Sequence, residues 1–253
     1  MKQTGKRFRL ISCEILFREV CLCAALSGNT IDIEFMEKGL HDMGAGAMSE
    51  KLQRSIDETN KEKYDALLLV YGLCSNGTAG LSSEVPLVIP RVHDCIALLF
   101  GSRDIYAEYS KNNASAYYLS TGWMERDSRI FAEGSIPSQL RMNRTYREYA
   151  EIYGEENAEY LMEQFGDLTA NYDRYTYIDT GMGDQGRFEE TARKAATEKG
   201  WKFEKIKGSI GMIQKLMDGD WDDEDMLVVP PGQKTVPSYD CNIIGHQVKQ
   251  NLK

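Results

Sequence analysis

The sequence predicts an α/β fold with two similar Rossmann-like lobes, each built on a parallel sheet, and an additional helical insert. Three observations support this fold class. Short apolar runs alternate with amphipathic segments, which is typical of buried parallel strands joined by helices. A strand, a glycine, an amphipathic helix and an apolar strand follow one another at 31–72 and again at 200–232, which indicates fold duplication. A charged, tyrosine-rich stretch at 125–173 interrupts the alternation.

We therefore predict three units along the chain. The first is an α/β lobe at 1–124, the second is a helical insert or cap at 125–173, and the third is an α/β lobe with a C-terminal tail at 174–253. The composition of the insert is typical of a solvated helical hairpin. A lid over a site or a dimer surface is the alternative for this segment.

In the first lobe, leucine- and valine-rich runs bounded by glycine and proline predict buried strands. A Ser-Gly-Asn stop after residue 26 predicts the end of the first helix. The expected elements are strands at 8–16, 30–36, 66–70, 85–90 and 116–119, with helices at 17–26, 49–60 and 96–109.

The same alternation of apolar runs and amphipathic segments resumes after the insert. The expected elements of the second lobe are strands at 175–178, 202–206 and 226–229, with helices at 188–199 and 211–217.

Composition narrows the function classes. The 253 residues are 42% hydrophobic with a net charge of -9, which argues against nonspecific binding to nucleic acid or to an anionic membrane. The apolar segment near the start contains Glu14, Arg18 and Glu19, which favours a strand over a signal peptide. No apolar run approaches the roughly 20 residues of a membrane helix. We expect a cytoplasmic protein whose 6 cysteines stay reduced, packed or metal-bound.

Reactive side chains follow the two leucine- and valine-rich strands of the first lobe. Cys74 comes after the run at 66–70, and His93 and Cys95 come after the run at 85–90. Since the carboxyl ends of neighbouring parallel strands meet at one edge of a sheet, we expect these side chains on one rim. Thiolate and imidazole are ligands that zinc prefers and that iron also accepts. The sequence therefore predicts a zinc (or iron) site of Cys74, His93 and Cys95, with Cys13 as a fourth ligand.

The alternative to a metal site is a set of small buried thiols beside a hydrogen-bonded histidine. Asp94 separates His93 from Cys95, so we expect it to orient a ligand or to accept a proton.

Two further groups are candidates for anion binding. Arg91 immediately precedes the histidine and cysteine pair and has the geometry to hold a carboxylate or phosphate; an ion pair with one of the acids is the alternative. Gly181, Gly183 and Gly186 lie between a predicted strand and a predicted helix, where backbone amides cradle an anion or a cofactor tail. A plain tight turn is the alternative for this loop.

The runs LVYGLCSNG, VIPRVHDCIALLFGS and YYLSTGWME together resemble a prokaryotic family, domain of unknown function number 1638. Its YGLC, PRxHDC and GW elements correspond to residues 71–74, 90–95 and 122–123. Members are often encoded beside corrinoid proteins and their methyltransferases in anaerobes. The resemblance thus implies a role in one-carbon or methylamine-type metabolism.

We weigh three functions. The first is a metal-dependent methyltransferase that acts with a corrinoid carried by a partner protein. The second is a non-catalytic metal- or corrinoid-binding accessory protein for such a system, favoured if Cys13 closes a four-ligand site. The third is a metal-free fold that binds a small anion at Arg91 and the 180–186 loop. Expected partners are a small-molecule substrate or a corrinoid protein, without nucleic acid or membrane; homo-oligomerisation stays open.

Overall fold

The computed structural model describes residues 2–126, 146–155, 157–160 and 171–248. A five-stranded sheet organises the larger part of the core, with its strands in the order β2-β1-β3-β4-β8. The first four strands are parallel and β8 is antiparallel to β4. The bounds are β1 Arg7–Cys13, β2 Thr30–Met36, β3 Ala66–Val70, β4 Leu87–Pro90 and β8 Met226–Val229.

The centre of this sheet is buried on both faces, as the apolar residues of its central strands require. All five residues of β3 are buried, which explains why this strand is a continuous apolar run without alternation. Helix α1, Phe17–Leu26, and helix α2, Ala45–Asp57, connect the first three strands. The apolar residues Met48, Leu52 and Ile56 of α2 recur at intervals of four, so they form one buried stripe of the helix.

A second sheet contains three parallel strands in the order β5-β6-β7. Two helices lie in the chain between the fourth strand of the first sheet and the first strand of this one. One further helix follows the second strand of this sheet, and another follows the third. The strands are β5 Ala116–Ser120, β6 Arg174–Asp179 and β7 Lys202–Lys207. The helices are α3 Cys95–Phe100, α4 Arg103–Asn112, α5 Thr121–Glu125, α6 Tyr146–Tyr153, α7 Gln185–Lys199 and α8 Gly211–Met217.

The α/β class with parallel sheets is confirmed, but two strands belong to a different sheet from the one expected. The strand at 226–229 pairs with β4 of the first sheet, so its assignment to the second lobe is wrong. The chain returns to the first sheet where the Ser209 amide donates to the Leu99 carbonyl at 2.9 Å. Helix α8 then packs on that sheet and β8 buries its apolar side chains there. Conversely, β5 leaves the first lobe and begins the second sheet. The domain boundaries at 124 and 173 stay predictions.

Several element boundaries also differ from expectation, two of them for a visible reason. The helix expected at 96–109 is two helices, because Gly101 adopts a left-handed φ of 72° and ends α3. The Ser102 hydroxyl then accepts from the Ile105 amide and begins α4. The first strand ends at Cys13, and residues 14–16 form a 3-10 turn.

The C-terminal tail contains an antiparallel hairpin of β9, Gln233–Pro237, and β10, Ile244–Val248. Most of the insert expected at 125–173 lies outside the described residues; within the described part, α6 is helical as predicted. None of the described helices combines the length and apolar character that crossing a bilayer demands.

Candidate functional site

Three thiols gather at the carboxyl edge of the first sheet. Cys13 is the last residue of β1, Cys74 follows β3, and Cys95 is the first residue of α3 just after β4. Strands β1, β3 and β4 are neighbours in the sheet and parallel, so their carboxyl ends share one edge. We call Cys13, Cys74 and Cys95 the thiol cluster.

The electrostatics of the thiol cluster show that its members are close to one another. Burial raises the pKa of Cys13 to about 11 and that of Cys74 to about 12. Burial also raises the pKa of Cys95 well above its usual value, and the Cys74 and Cys13 sulfurs raise it further. The thiolates of Cys74 and Cys95 would therefore be destabilised by neighbouring thiolates as well as by lost hydration, and that of Cys13 by lost hydration and by the Glu14 charge. Without a bound cation, this environment favours the protonated thiols.

Few positive charges compensate the cluster. Among the charged groups of the described chain that act on these thiols, Lys38 lowers the pKa of Cys13, whereas Asp94 raises those of Cys74 and Cys95. Cysteines that act as nucleophiles without a metal ion lie in electropositive surroundings that lower their pKa. The thiol cluster lies in the opposite kind of environment.

Tyr71 brings a phenol to the same place. Its side chain is buried, and its hydroxyl has no hydrogen-bond partner among the described residues. The hydroxyl lies close enough to Cys13 to lower the pKa of that thiol through a hydrogen-bonding interaction, although the pair does not meet ordinary hydrogen-bond geometry. Burial raises the pKa of Tyr71, followed by the charges that Cys13, Cys74 and Cys95 would carry as thiolates. A buried, unpaired polar atom beside three thiols is a feature that a bound ion or ligand would explain.

A cavity of about 480 Å³ opens on the cluster. Cys74 and Cys95 line it, whereas Cys13 lies behind them as a buried residue. We call this space the thiol cavity. Its described lining is Leu73, Cys74, Ser75, Asn76, His93, Asp94, Cys95, Ile96 and Trp123.

The turn that carries Cys74 has an unusual backbone. Cys74, Ser75 and Asn76 adopt left-handed φ values of 47°, 54° and 69° in succession. Such a conformation costs about 1–2 kcal/mol for each residue other than glycine, and strained segments of this kind cluster at functional sites. Two backbone bonds hold the turn, from the Leu73 amide to the Val92 carbonyl at 2.9 Å and from the Cys74 amide to the His93 carbonyl at 2.8 Å.

Gly72 explains why the two loops approach so closely. A Cβ at this position would lie 2.6 Å from the Asp94 amide nitrogen and 2.7 Å from the Val92 carbonyl oxygen. The loop after β3 can therefore contact the loop after β4 because residue 72 has no side chain. This contact brings Cys74 to the same edge as Cys95.

The structure places His93 and Asp94 in different roles from Cys95. The His93 side chain is exposed at the rim of the thiol cavity. Asp94 caps α3, since one carboxylate oxygen accepts from the Ile96 amide at 3.0 Å and from the Ala97 amide at 3.2 Å. Its other oxygen accepts from the Tyr106 hydroxyl at 3.2 Å. Asp94 thus positions the start of α3, and with it Cys95.

Arg91 points away from the thiol cavity. Its guanidinium donates to the carbonyl oxygens of Ile244 and Asn242, so it anchors the C-terminal hairpin to the first sheet. Burial lowers the pKa of Arg91. Arg91 is not among the described residues that line the thiol cavity.

The glycine loop lies after β6, at the second sheet. Gly181 and Gly183 have left-handed φ values of 83° and 69°, and Asp184 caps α7 by accepting from the Arg187 amide at 3.2 Å. A Cβ on Gly183 would lie 2.7 Å from the Thr121 side chain, so this glycine permits close packing. Gly186 begins α7. None of these three glycines lines the thiol cavity, and their expected role in binding an anion stays a prediction.

The donor set suits a thiophilic ion, although the side chains are not yet in a ligand arrangement. Among the residues that the structure describes, no group of three His, Cys, Asp or Glu side chains stands ready to hold a metal ion. Three thiols are nevertheless the soft donors that zinc and iron accept. Sequence reasoning missed Tyr71 as a member of the site, although it belongs to the same YGLC run as Cys74.

Comparison with known proteins identifies the family. The family model described as protein of unknown function DUF1638 matches residues 35–217. The chain belongs to this family. The DUF1638 match includes Cys74, His93 and Cys95, and Cys13 lies before its start. No curated protein and no solved structure matches the chain significantly.

Proposed function

We propose that the thiol cluster binds a thiophilic metal ion, zinc or iron, through Cys13, Cys74 and Cys95. One observation carries the proposal: Cys74 and Cys95 line one cavity at the carboxyl edge of the sheet, the buried Cys13 raises the pKa of both, and the buried Tyr71 hydroxyl beside them has no hydrogen-bond partner among the described residues. A divalent ion would supply the missing positive charge and stabilise the thiolates. Plain packing would account for the buried sulfurs but would leave the phenol unexplained.

The remaining residues support such a site without all being ligands. His93 stands at the rim of the cavity with an exposed imidazole. Asp94 fixes the start of α3 and therefore the position of Cys95. Gly72 lets the loops after β3 and β4 meet. When bound, the ion would supply a Lewis acid that activates a thiol or water or polarises a substrate.

For the biological role we propose methyl transfer to a thiol, with a corrinoid on a partner protein as the methyl donor. The association with corrinoid methyltransferase systems that the sequence resemblance implies supports this role. In such a reaction an S–C bond would form as the thiol loses its proton, and the Co–C bond of the donor would break with its electron pair left on cobalt. The open side of the thiol cavity, where Cys74 and Cys95 face solvent space, favours an enzyme.

The alternative is a non-catalytic accessory protein that binds a metal or a corrinoid for a methyltransferase. Cys13 favours this role if it completes a closed set of four ligands, because a closed set leaves no position for a substrate. We propose a cytoplasmic setting for either role, in agreement with the six free cysteines.

Metal content tests the proposal. We would measure zinc and iron by inductively coupled plasma mass spectrometry in protein purified without oxygen. The variants are Cys13→Ser, Cys74→Ser, Cys95→Ser and His93→Ala, with Cys241→Ser as the control because that thiol is exposed and remote in sequence. We expect about one ion per chain in the wild type and in Cys241→Ser, and loss of the ion in the three cluster variants.

The pattern among variants separates the two roles. Loss of metal in the three cluster variants but retention in His93→Ala, together with methyl transfer from a methylated corrinoid protein, supports an open catalytic site of three thiolates. Equal loss in Cys13→Ser and His93→Ala, without methyl transfer, supports the closed accessory site. A folded wild-type protein that stays empty after zinc and iron are supplied would contradict metal binding altogether.

A further inference from the structure

A second cavity, of about 440 Å³, lies between the second sheet and helix α7. Its floor comes from β5 and β6, and one wall comes from successive turns of α7. We call this space the aromatic cavity. Its described lining is Lys38, Tyr117, Leu119, Trp123, Met124, Tyr175, Arg187, Phe188, Thr191, Ala192 and Ala195.

The charge of the aromatic cavity is opposite to that of the chain. The sequence has 39 acidic and 30 basic residues, yet the described residues of this lining include two cations, Lys38 and Arg187, and no carboxylate. The Arg187 guanidinium lies 5.7 Å from the centroid of the Phe188 ring. A guanidinium held against a ring at a cavity mouth is a donor that suits carboxylate, sulfonate or phosphate.

The walls of the cavity favour a flat apolar body. Tyr117 and Tyr175 stand edge to face, with centroids 5.4 Å apart and planes at 82°. Phe188 and Trp123 add two more aromatic rings to the lining. Aromatic walls gain contact with a planar ligand by stacking or by edge contacts. Small residues on α7, Ala192 and Ala195, leave room for that ligand.

The aromatic cavity adjoins the thiol cavity. Trp123 lines both spaces, and the Lys38 ammonium lies 4.4 Å from the centroid of the Trp123 ring. Lys38 also lowers the pKa of Cys13, so it lies near the thiol cluster. One aromatic side chain therefore separates a ligand in the aromatic cavity from Cys74 and Cys95.

We propose that the aromatic cavity binds an anion with a planar, apolar body, whose charge faces Arg187 and Lys38 and whose body lies among Tyr117, Tyr175 and Phe188. The binding does not require metal at the thiol cluster. It is thus independent of the proposed metal site, although its position would bring a bound substrate beside that site.

Fluorescence titration with anilinonaphthalene sulfonate tests the proposal, because this probe is a planar aromatic anion. The neutral probe N-phenylnaphthylamine has the same aromatic body without the sulfonate. The variants are Arg187→Gln, which removes the cation, and Thr191→Trp, which fills the cavity from an exposed position of α7. Lys194→Gln is the control, because it removes the same charge from an exposed, off-cavity position of the same helix.

We expect saturable binding of one sulfonate probe per chain, with a dissociation constant about tenfold higher in Arg187→Gln and unchanged in Lys194→Gln. The neutral probe should bind more weakly and should not respond to Arg187→Gln. Thr191→Trp should abolish binding of both probes while the thermal melting temperature is kept.

Equal binding by Arg187→Gln and wild type, or an equal loss in Lys194→Gln, would overturn the proposal. The Cys74→Ser variant should bind the probe normally, so a failed metal site and a failed anion site give different results.

Discussion

Replacing Glu19 by glutamine should stabilise the protein at alkaline pH and remove part of its pH dependence. Glu19 lies in α1 with 1% of its surface exposed. One carboxylate oxygen accepts from the Thr180 hydroxyl at 2.6 Å, and the other is buried without a hydrogen-bond partner among the described residues. This side chain connects α1 of the first sheet to the loop after β6 of the second.

The direction of the pH dependence follows from the raised pKa of Glu19. Burial is the largest cause, the nearby Glu125 charge adds to it, and the Thr180 hydrogen bond and Arg18 oppose it. The Glu19 charge also raises the pKa of Cys23 on the same helix. Because the folded state holds this proton more tightly than the unfolded state, stability is full below the unfolded pKa near 4.5 and falls as pH rises through the folded value.

The magnitude follows from the orphan oxygen. A buried group without a partner costs about 1–3 kcal/mol, and a charged one costs more. Glutamine keeps an acceptor for Thr180 and carries no charge. We therefore expect Glu19→Gln to raise the free energy of unfolding by about 1 kcal/mol at pH 8 and to change it little near pH 4.5.

Urea unfolding at pH 4.5, 6 and 8 measures this effect. The control is Glu50→Gln, whose side chain is 75% exposed on α2 and which should leave the pH dependence of stability unchanged. Loss of stability at pH 8 in Glu19→Gln, or a pH dependence equal to that of the wild type, would refute the reasoning.

Substitutions at three positions of the thiol site, with Gly80→Ala as a control, give the remaining predictions. Tyr71→Phe should raise the unfolding free energy of metal-free protein by about 1 kcal/mol in urea titrations, because it removes an unpaired buried hydroxyl; a loss of stability would mean that the hydroxyl has a partner. Gly72→Ala should cost about 2–4 kcal/mol and lower metal content, since its Cβ would meet backbone at 2.6 Å. Gly80 has a φ of 83°, but a Cβ built there would have no atom within 4 Å. Gly80→Ala should therefore lower the free energy of unfolding by only about 1 kcal/mol. A loss equal to that of Gly72→Ala would contradict the steric argument. Asp94→Ala should lower the free energy of unfolding by about 1 kcal/mol because the cap of α3 is lost, and Asp94→Asn should lower it little. If both variants lose methyl transfer while their stability is unchanged, the carboxylate transfers a proton and does not act as the cap.

Local pattern was sufficient for two strands that are largely buried. The apolar runs at 66–70 and 226–229 became strands with the predicted bounds, because continuous apolar residues between turn signals fit a strand that is covered on both faces. The helix expected at 96–109 was not continuous, because Gly101 followed by Ser102 stops one helix and begins another. Both signals were visible in the sequence.

The location of reactive groups was predicted in part. The rule that parallel strands end at one edge brought Cys74 and Cys95 to the same cavity, and it brought Cys13 behind them. The same rule says nothing about side-chain direction. His93 therefore proved to be exposed at the rim, and Arg91 proved to face the C-terminal hairpin.

The sequence by itself determined the α/β class, most strands and helices, and the three positions where thiols follow strands, because these depend on local periodicity and chain order. Only the tertiary structure decided that β8 completes the first sheet and that Tyr71 lies among the thiols. It also decided that two cations and four aromatic rings share one cavity. These features join residues far apart in the chain, and such pairings depend on which surfaces bury one another, a property that no local pattern encodes.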